Sequence, residues 1–221
     1  MLLDRGCATA LGLVPVGSGS DTARGLRLVA KPKAALERAL GVAPRPVDVM
    51  RLTQGEATRW VVNIASVGVS GMVAAEVNKL DRRWAGTYLW TALKSLARYR
   101  PGQVRVFLDG ELWYEGGVVL MAIANGTVFA RGMRIAPHAL ADDGLADVVL
   151  VQDVPVRQIL PYVPRLYNGG HLKAPFVRWQ RAARVRVEPV GELPPFELDG
   201  ELTDPQTAEY EVISGALQVV Y

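Results

Sequence analysis

The chain is poor in residues that make cross-links and metal clusters: of 221 residues one is cysteine, Cys7, and two are histidine, His138 and His171. A lone thiol excludes an internal disulfide, and the three residues share no ligand spacing, which argues against zinc. Cys7 has no catalytic partner near it in sequence and reads as a buried apolar residue, and each histidine as structural or surface. No apolar run reaches the ~18 residues of a membrane-crossing helix; residues 116–123 are soon interrupted by Asn125 and Gly126. The beginning of the chain lacks the charged region, apolar stretch and cleavage site of a signal peptide. These absences predict a cytoplasmic protein whose contact with a membrane is peripheral. There is no low-complexity tract and no solenoid repeat. With 50% hydrophobic and 21% charged residues, the composition is that of a globular chain with a sizeable core.

Charge is lacking by segment. Residues 154–187 contain no acid while Arg157, Arg165, Lys173, Arg178, Arg181, Arg184 and Arg186 fall there; residues 187–221 contain no base while eight acids from Glu188 to Glu211 follow. A basic face of this kind could steer the protein to phosphates, anionic headgroups or nucleic acid, and equally could be an ordinary solvated strand face.

What is present begins as half of an α/β unit: an apolar run at 10–16, a small polar loop Gly17-Ser18-Gly19-Ser20-Asp21, and a segment at 22–29 that can continue as helix. A second helix at 33–40 precedes Pro44 and Pro46, read as a hinge. From Val47 onward the pattern is β-rich, with strands expected at 60–65, 103–108, 112–124, 146–151, 183–188, 196–198, 210–213 and 216–220. A helix over 86–100 interrupts them, with Trp84, Tyr88, Leu89, Leu93, Leu96 and Tyr99 at helical spacing, a stripe that suits a core or a groove. A shorter helix is expected at 156–167, disturbed by Pro161 and Pro164. The expected fold class is α+β, a β-rich sandwich domain (48–221) preceded by a partial α/β nucleotide-binding domain (1–47).

Several segments can carry chemistry. The Gly17–Asp21 loop puts glycines and a helix N-terminus where backbone amides could approach a phosphate, although a tight turn with Ser20 or Asp21 as N-cap accounts for it equally. Asp109-Gly110-Glu111 and Asp199-Gly200-Glu201 both follow apolar strand residues, as hairpin turns do. The second lies in the acid-only stretch, where neighbouring carboxylates raise one another's proton affinity toward that of a base. Asp142, Asp143 and Asp147 crowd one loop, which with its carbonyls could hold a hard cation such as Mg²⁺ or simply form a solvated turn.

Taken in order, these pieces resemble the diacylglycerol kinase catalytic family, specifically the bacterial soluble lipid kinases, which are similar to sphingosine kinases and more distantly to NAD kinases. The likeness runs through residues 11–24 (LGLVPVGSGSDTAR), 63–68 (NIASVG), 124–126 (ANG), 132–137 (GMRIAP), 142–148 (DDGLADV) and 197–201 (ELDGE). Colinear blocks over almost the whole chain make it specific. The resemblance implies ATP bound by the N-terminal α/β part, with Gly17, Ser18, Gly19, Ser20 and Asp21 at the nucleotide, and a lipid cleft in the β-sandwich. It further implies Asp199 and Glu201 as general-base candidates acting on a lipid hydroxyl, and a Mg²⁺ loop formed by Leu140 and Leu145 carbonyls with the Asp143 carboxylate. Ser18 stands for the family's usual Thr, Ser20 for its Asn, and His138 for a frequent Asp. The expected partners are a lipid such as diacylglycerol and a membrane surface touched peripherally, with no nucleic acid. The family's Gly-Gly-Asp-Gly-Thr phosphate loop occurs nowhere in the 221 residues, so about the first third of a typical member is expected to be missing. A first strand and helix without their usual parallel neighbours would expose apolar surface or form a homodimer.

Overall fold

The computed structural model describes residues 3, 9–16, 20–26, 28, 31–79, 87–193 and 195–220. Cys7, Gly17, Ser18, Gly19 and Trp84 lie outside the described residues. The elements run β1 (Ala10–Gly12), α1 (Asp21–Gly25), α2 (Pro32–Gly41), β2 (Arg45–Gln54), β3 (Ala57–Val61), β4 (Ile64–Gly68), α3 (Val69–Asn78), α4 (Thr87–Arg98), β5 (Gly102–Leu108) and β6 (Glu111–Ala124). They continue with β7 (Ala146–Gln152), α5 (Val156–Ile159), β8 (Val177–Ala182), β9 (Arg184–Val190), β10 (Phe196–Leu198), β11 (Glu201–Thr203) and β12 (Ala208–Val220).

The strands form one curled sheet in the order β11-β10-β4-β6-β5-β9-β12-β2-β3, with β7 on β6, β8 on β7 and β1 on β12. Every pairing is antiparallel except β1 with β12, where Ala10 lies beside Gln218 and Gly12 beside Val220. The last strand therefore does reach the first segment. Gly12 lets α2 pack closely on β1, because a Cβ there would sit 2.7 Å from Ala39 Cβ of α2.

Side chains that alternate along a strand go to opposite faces, and in β7 this sorts a nearly continuous buried run into two cores. Ala146, Val148 and Leu150 join the main core with Met50, Leu52, Val106, Met121 and Phe196. Val149 instead packs with Ile64, Ala122 and Ile135, and Val151 with Leu96, Tyr99 and Phe176. The sheet thus has a filled inner face and a second face at β4, β6 and β7, covered by α3, α4 and the segments 129–139 and 154–176. That second face carries the site.

Several expectations change. The strand expected at 60–65 is two, β3 and β4, broken at Val62 and Asn63 because their N–H groups bond the Asp199 carboxylate instead of a strand. The runs at 210–213 and 216–220 are one strand, bulged between Ile213 and Leu217, where Gly215 takes φ 61°. The hinge at Pro44 and Pro46 is the start of β2, a position where a strand tolerates proline. The apolar run at 10–16 pairs only over three residues, and the helix at 22–29 is the five-residue α1. Pro161 and Pro164 divide the segment at 156–167 into α5 and two 3₁₀ turns, Leu160–Tyr162 and Pro164–Tyr167. Val14, Val16, Leu36, Leu40 and Val42 are exposed on the first segment. None of the helices described is long and apolar enough to cross a membrane.

Candidate active site

A cavity of about 420 Å³ opens between the second face of the sheet and the helices that cover it. Val73 of α3, Leu93 and Leu96 of α4, Val151, Ile159 and Phe176 make most of it apolar, while Glu197 and Asp199 stand at its polar end. The Leu93 and Leu96 stripe of α4 is therefore both wall and core, and Trp90 on the same helix is 65% exposed. At the rim the Arg165 guanidinium lies 4.5 Å above the Tyr162 ring, which packs edge-on against Phe176.

The polar end is built by the hairpin of β10 and β11. Asp199 takes φ 50° and Gly200 φ 96°, left-handed conformations that a tight Asp-Gly turn needs. The Asp199 carboxylate turns back onto β4: Oδ2 accepts the Val62 N–H at 2.7 Å, and Oδ1 accepts those of Asn63 at 3.1 Å and Ile64 at 2.8 Å. Burial pushes the Asp199 carboxyl above its ordinary range; the amide bonds pull it down and the neighbouring Glu201 charge adds to the rise. Glu197, which sequence reading placed in a motif without giving it a role, is raised by burial too, against hydrogen bonds from Ser66 and Gly200. Glu201 is exposed at the start of β11, close enough to act on Asp199, and is not among the residues that line the cavity.

From the nucleotide-loop set, Ser20 and Asp21 are the described members, and both line the cavity. Ser20 is the N-cap residue of α1, with φ 51° and no side-chain cap bond. Asp21 pairs with Arg24 at 3.1 Å and accepts the Arg131 N–H at 2.7 Å. That contact anchors α1 to a loop in which Ala130, Arg131 and Gly132 have φ 47°, 67° and 110° in succession. Two adjacent non-glycine residues in this region cost on the order of 1–3 kcal/mol each, a strain typical of functional loops.

The acidic loop is separate: none of Leu140, Asp143 and Leu145 lines the cavity. Asp143 Oδ1 accepts the Leu145 N–H at 3.1 Å, and Oδ2 is buried without a hydrogen bond, in an ion pair with Arg181. Asp48, buried in β2, ties this loop to the bulge of β12 by accepting the Gly144 N–H at 2.6 Å and the Gly215 N–H at 2.7 Å. Among the described residues there is no cluster of three or more His, Cys, Asp or Glu placed to hold a metal. A carboxylate with main-chain carbonyls is nonetheless a set of hard oxygen donors of the kind Mg²⁺ takes, and for Asp143 to offer Oδ2 to a cation its ion pair with Arg181 would have to open.

The two charge blocks neutralise each other in part, through Arg184 and Arg186. Arg184 meets Glu211 at 3.2 Å, Arg186 meets Glu188 at 2.5 Å and Glu209 at 3.7 Å, and Arg181 lies 3.6 Å from Asp147. The solvated-face reading holds for these arginines. Asp48, Asn63, Asn125 and Glu197 are polar residues to which sequence reading gave no role. Asp48 is buried on β2, Asn63 and Asn125 in the bends after β3 and β6, and Glu197 is half-buried on β10; nothing in a single sequence marks such a residue as a structural acceptor.

Residues 63–221 match the YegS C-terminal NAD kinase beta sandwich-like domain. The chain is 30% identical over 215 residues to a Mycobacterium tuberculosis protein named diacylglycerol kinase, covering 95% of this chain and 68% of that one. A Xanthomonas euvesicatoria pv. vesicatoria protein named "probable lipid kinase YegS-like" is 32% identical over 211 residues, covering 94% and 66%. The crystal structure of a diacylglycerol kinase from Bacillus anthracis str. Sterne shares the fold with a TM-score of 0.67 at 17% identity, over 96% of this chain and 66% of that one. The chain thus spans about two thirds of the length of its relatives, and it belongs to the family of diacylglycerol kinases and YegS-like lipid kinases.

Proposed function

We propose that the protein takes part in the ATP-dependent phosphorylation of a lipid alcohol of the diacylglycerol class at the surface of a bilayer. The observation that carries this reading is the pairing of a largely apolar cavity with carboxylates gathered at one end, where the hydroxyl of a lipid could lie while its chains fill the rest. Residues 1–47 act as part of a nucleotide-binding unit, with Gly17, Ser18, Gly19, Ser20 and Asp21 toward the phosphates, and residues 48–221 as the lipid-side unit.

Asp199 and Glu201 divide the work. Three of the four lone-pair directions of the Asp199 carboxylate are taken by amides of β4 and its approach, so it holds the turn. Glu201, exposed beside it, takes the proton of the lipid hydroxyl as that oxygen attacks the γ-phosphorus of ATP and ADP leaves. Phosphoryl transfer asks little more of the protein than an aligned hydroxyl, a base and positive charge at the phosphates. Leu140, Asp143 and Leu145 would hold Mg²⁺, which supplies there a fixed positive charge that stiffens the loop joined to β2 and β12.

The test is ATP-dependent phosphorylation of dispersed diacylglycerol, with ATP binding followed by calorimetry. Glu201→Gln should lower turnover on the order of 10²-fold with lipid binding unchanged. Full turnover in that variant removes Glu201 as the base. Lipid binding without ATP binding would leave a lipid-binding module instead of a kinase.

A further inference from the structure

The two Asp-Gly-Glu hairpins form an internal comparison. Asp109 and Gly110 have φ 49° and 94°, Asp199 and Gly200 φ 50° and 96°, and each aspartate folds back to accept N–H groups from a neighbouring strand. Two residues before the aspartate the hairpins differ. The first has Phe107 and the second has Glu197.

Glu197 is an expensive substitution for an apolar residue. It sits on β10 opposite Ser66 of β4, whose side chain is wholly buried, and it lines the cavity beside Asp199. One carboxylate oxygen accepts the Gly200 N–H at 2.6 Å, and the other accepts the Ser66 hydroxyl. Withdrawing a carboxylate from water costs several kcal/mol unless its partners repay it. Since the Phe107 hairpin reaches the same dihedral angles without a carboxylate there, the turn itself does not require Glu197. What the carboxylate adds is a grip on Gly200, the residue between the two catalytic candidates, and a negative charge next to Asp199.

We infer that Glu197 is a positioning residue, which clamps the Asp199–Gly200–Glu201 turn through the Gly200 N–H and is itself held by the Ser66 hydroxyl of β4. The function of the clamp rests on the reading of that turn as catalytic; the clamp itself does not. The groups that face Glu197 are Ser66 from β4, the Gly200 amide and Asp199 from the turn, and Tyr210 from β12, whose buried hydroxyl has no hydrogen-bond partner. Glu201 acts in turn on Asp199.

The experiment follows the Gly200 amide by ¹⁵N NMR and hydrogen exchange in the 221-residue chain, with Glu197→Gln and Glu197→Leu beside the wild type. In the wild type the Gly200 resonance should titrate with a carboxyl and its amide should be protected. Glu197→Gln keeps an acceptor oxygen, so protection should stay. Glu197→Leu, which copies the other hairpin, should fold and lose Gly200 protection by about 10-fold or more. In a phosphorylation assay the same Leu change should lower kcat about 10-fold with KM for lipid unchanged, and the Gln change, which keeps the acceptor, should restore most of that loss. Unchanged Gly200 protection in the Leu variant overturns the clamp. Should the Leu variant fail to fold, a wild-type Gly200 amide that exchanges as fast as a solvent-exposed one overturns it. Loss of protection without an effect on kcat overturns the functional role. The expected amide behaviour with no kinase turnover in any variant would instead refute the kinase reading and leave the clamp standing.

Discussion

Replacing Asp199 and Asp109 by alanine, one at a time, separates a carboxylate that holds buried backbone from one that holds exposed backbone. Alanine at φ 50° or 49° pays a similar left-handed penalty at both sites, about 1–2 kcal/mol, so the difference between the variants reports the lost acceptors alone. Asp109 Oδ1 serves the N–H groups of Ala183 at 3.1 Å and Arg184 at 2.8 Å, and these bonds are exposed, so water can take them over. Asp199 serves Asn63 and Ile64, which are only 7% and 2% exposed, as well as Val62. A buried donor left without an acceptor costs about 1–3 kcal/mol, so the two at Asn63 and Ile64 amount to roughly 2–6 kcal/mol. Burial already pushes the Asp199 carboxyl upward, a sign that keeping it charged costs part of that gain. The expected difference is therefore toward the lower end, about 2–4 kcal/mol, or a Tm about 4–16 °C lower for Asp199→Ala than for Asp109→Ala. Thermal unfolding of the two variants at pH 7 measures it. Equal losses would refute the argument that the Asp199 carboxylate organises β4.

Other outcomes follow from the same geometry. Mg²⁺ should raise the Tm of the wild type over a chelator control, by an amount that grows with Mg²⁺ as binding to the folded state requires; Asp143→Ala should abolish that rise, and a wild type indifferent to Mg²⁺ would exclude a metal in the acidic loop. Filling the cavity from α4 with Ala92→Trp should abolish binding of a fluorescent diacylglycerol with Tm little changed, and undiminished binding would place the lipid elsewhere. Glu197 and Asp199 both hold protons more tightly folded than unfolded, so the stability they contribute is present below their ordinary values of 4.5 and 3.8 and declines as pH rises through the raised folded ones. Glu197→Gln should therefore lose less Tm than the wild type between pH 4.5 and pH 8, and an identical slope would show that this carboxyl is not buried as described.

Much of the fold was legible because its strands alternate. β5, β6, β7 and β10 fall where Val, Ile and Phe spacing put them, and the Leu93 and Leu96 stripe marked α4. β2 was hidden by Pro46, which punctuates a sequence wherever it occurs but here opens a strand. α3, with the sequence VSGMVAAEVN, offers no polar side to alternate against, since it is covered by α4 on one side and the sheet on another. Gly71 shows how close that contact is: a Cβ there would lie 1.8 Å from the Pro195 carbonyl oxygen. At the site, Asp199 stood out through its motif and Glu197 did not, because a carboxylate in an alternating strand looks solvent-facing until its partner strand is known. Ser66, the residue that receives it, is distant in sequence and carries no signal of its own.

The parallel pairing of β1 with β12 has a consequence for the order of events during synthesis. Ala10 finds its partner, Gln218, only about 200 residues later, so β1 waits during synthesis for those further residues before it can pair. β12 also lies between β9 and β2, so the strand that receives β1 is the one that joins the two parts of the sheet, and a chain stopped short of it would leave both β2 and β9 with an unpaired edge.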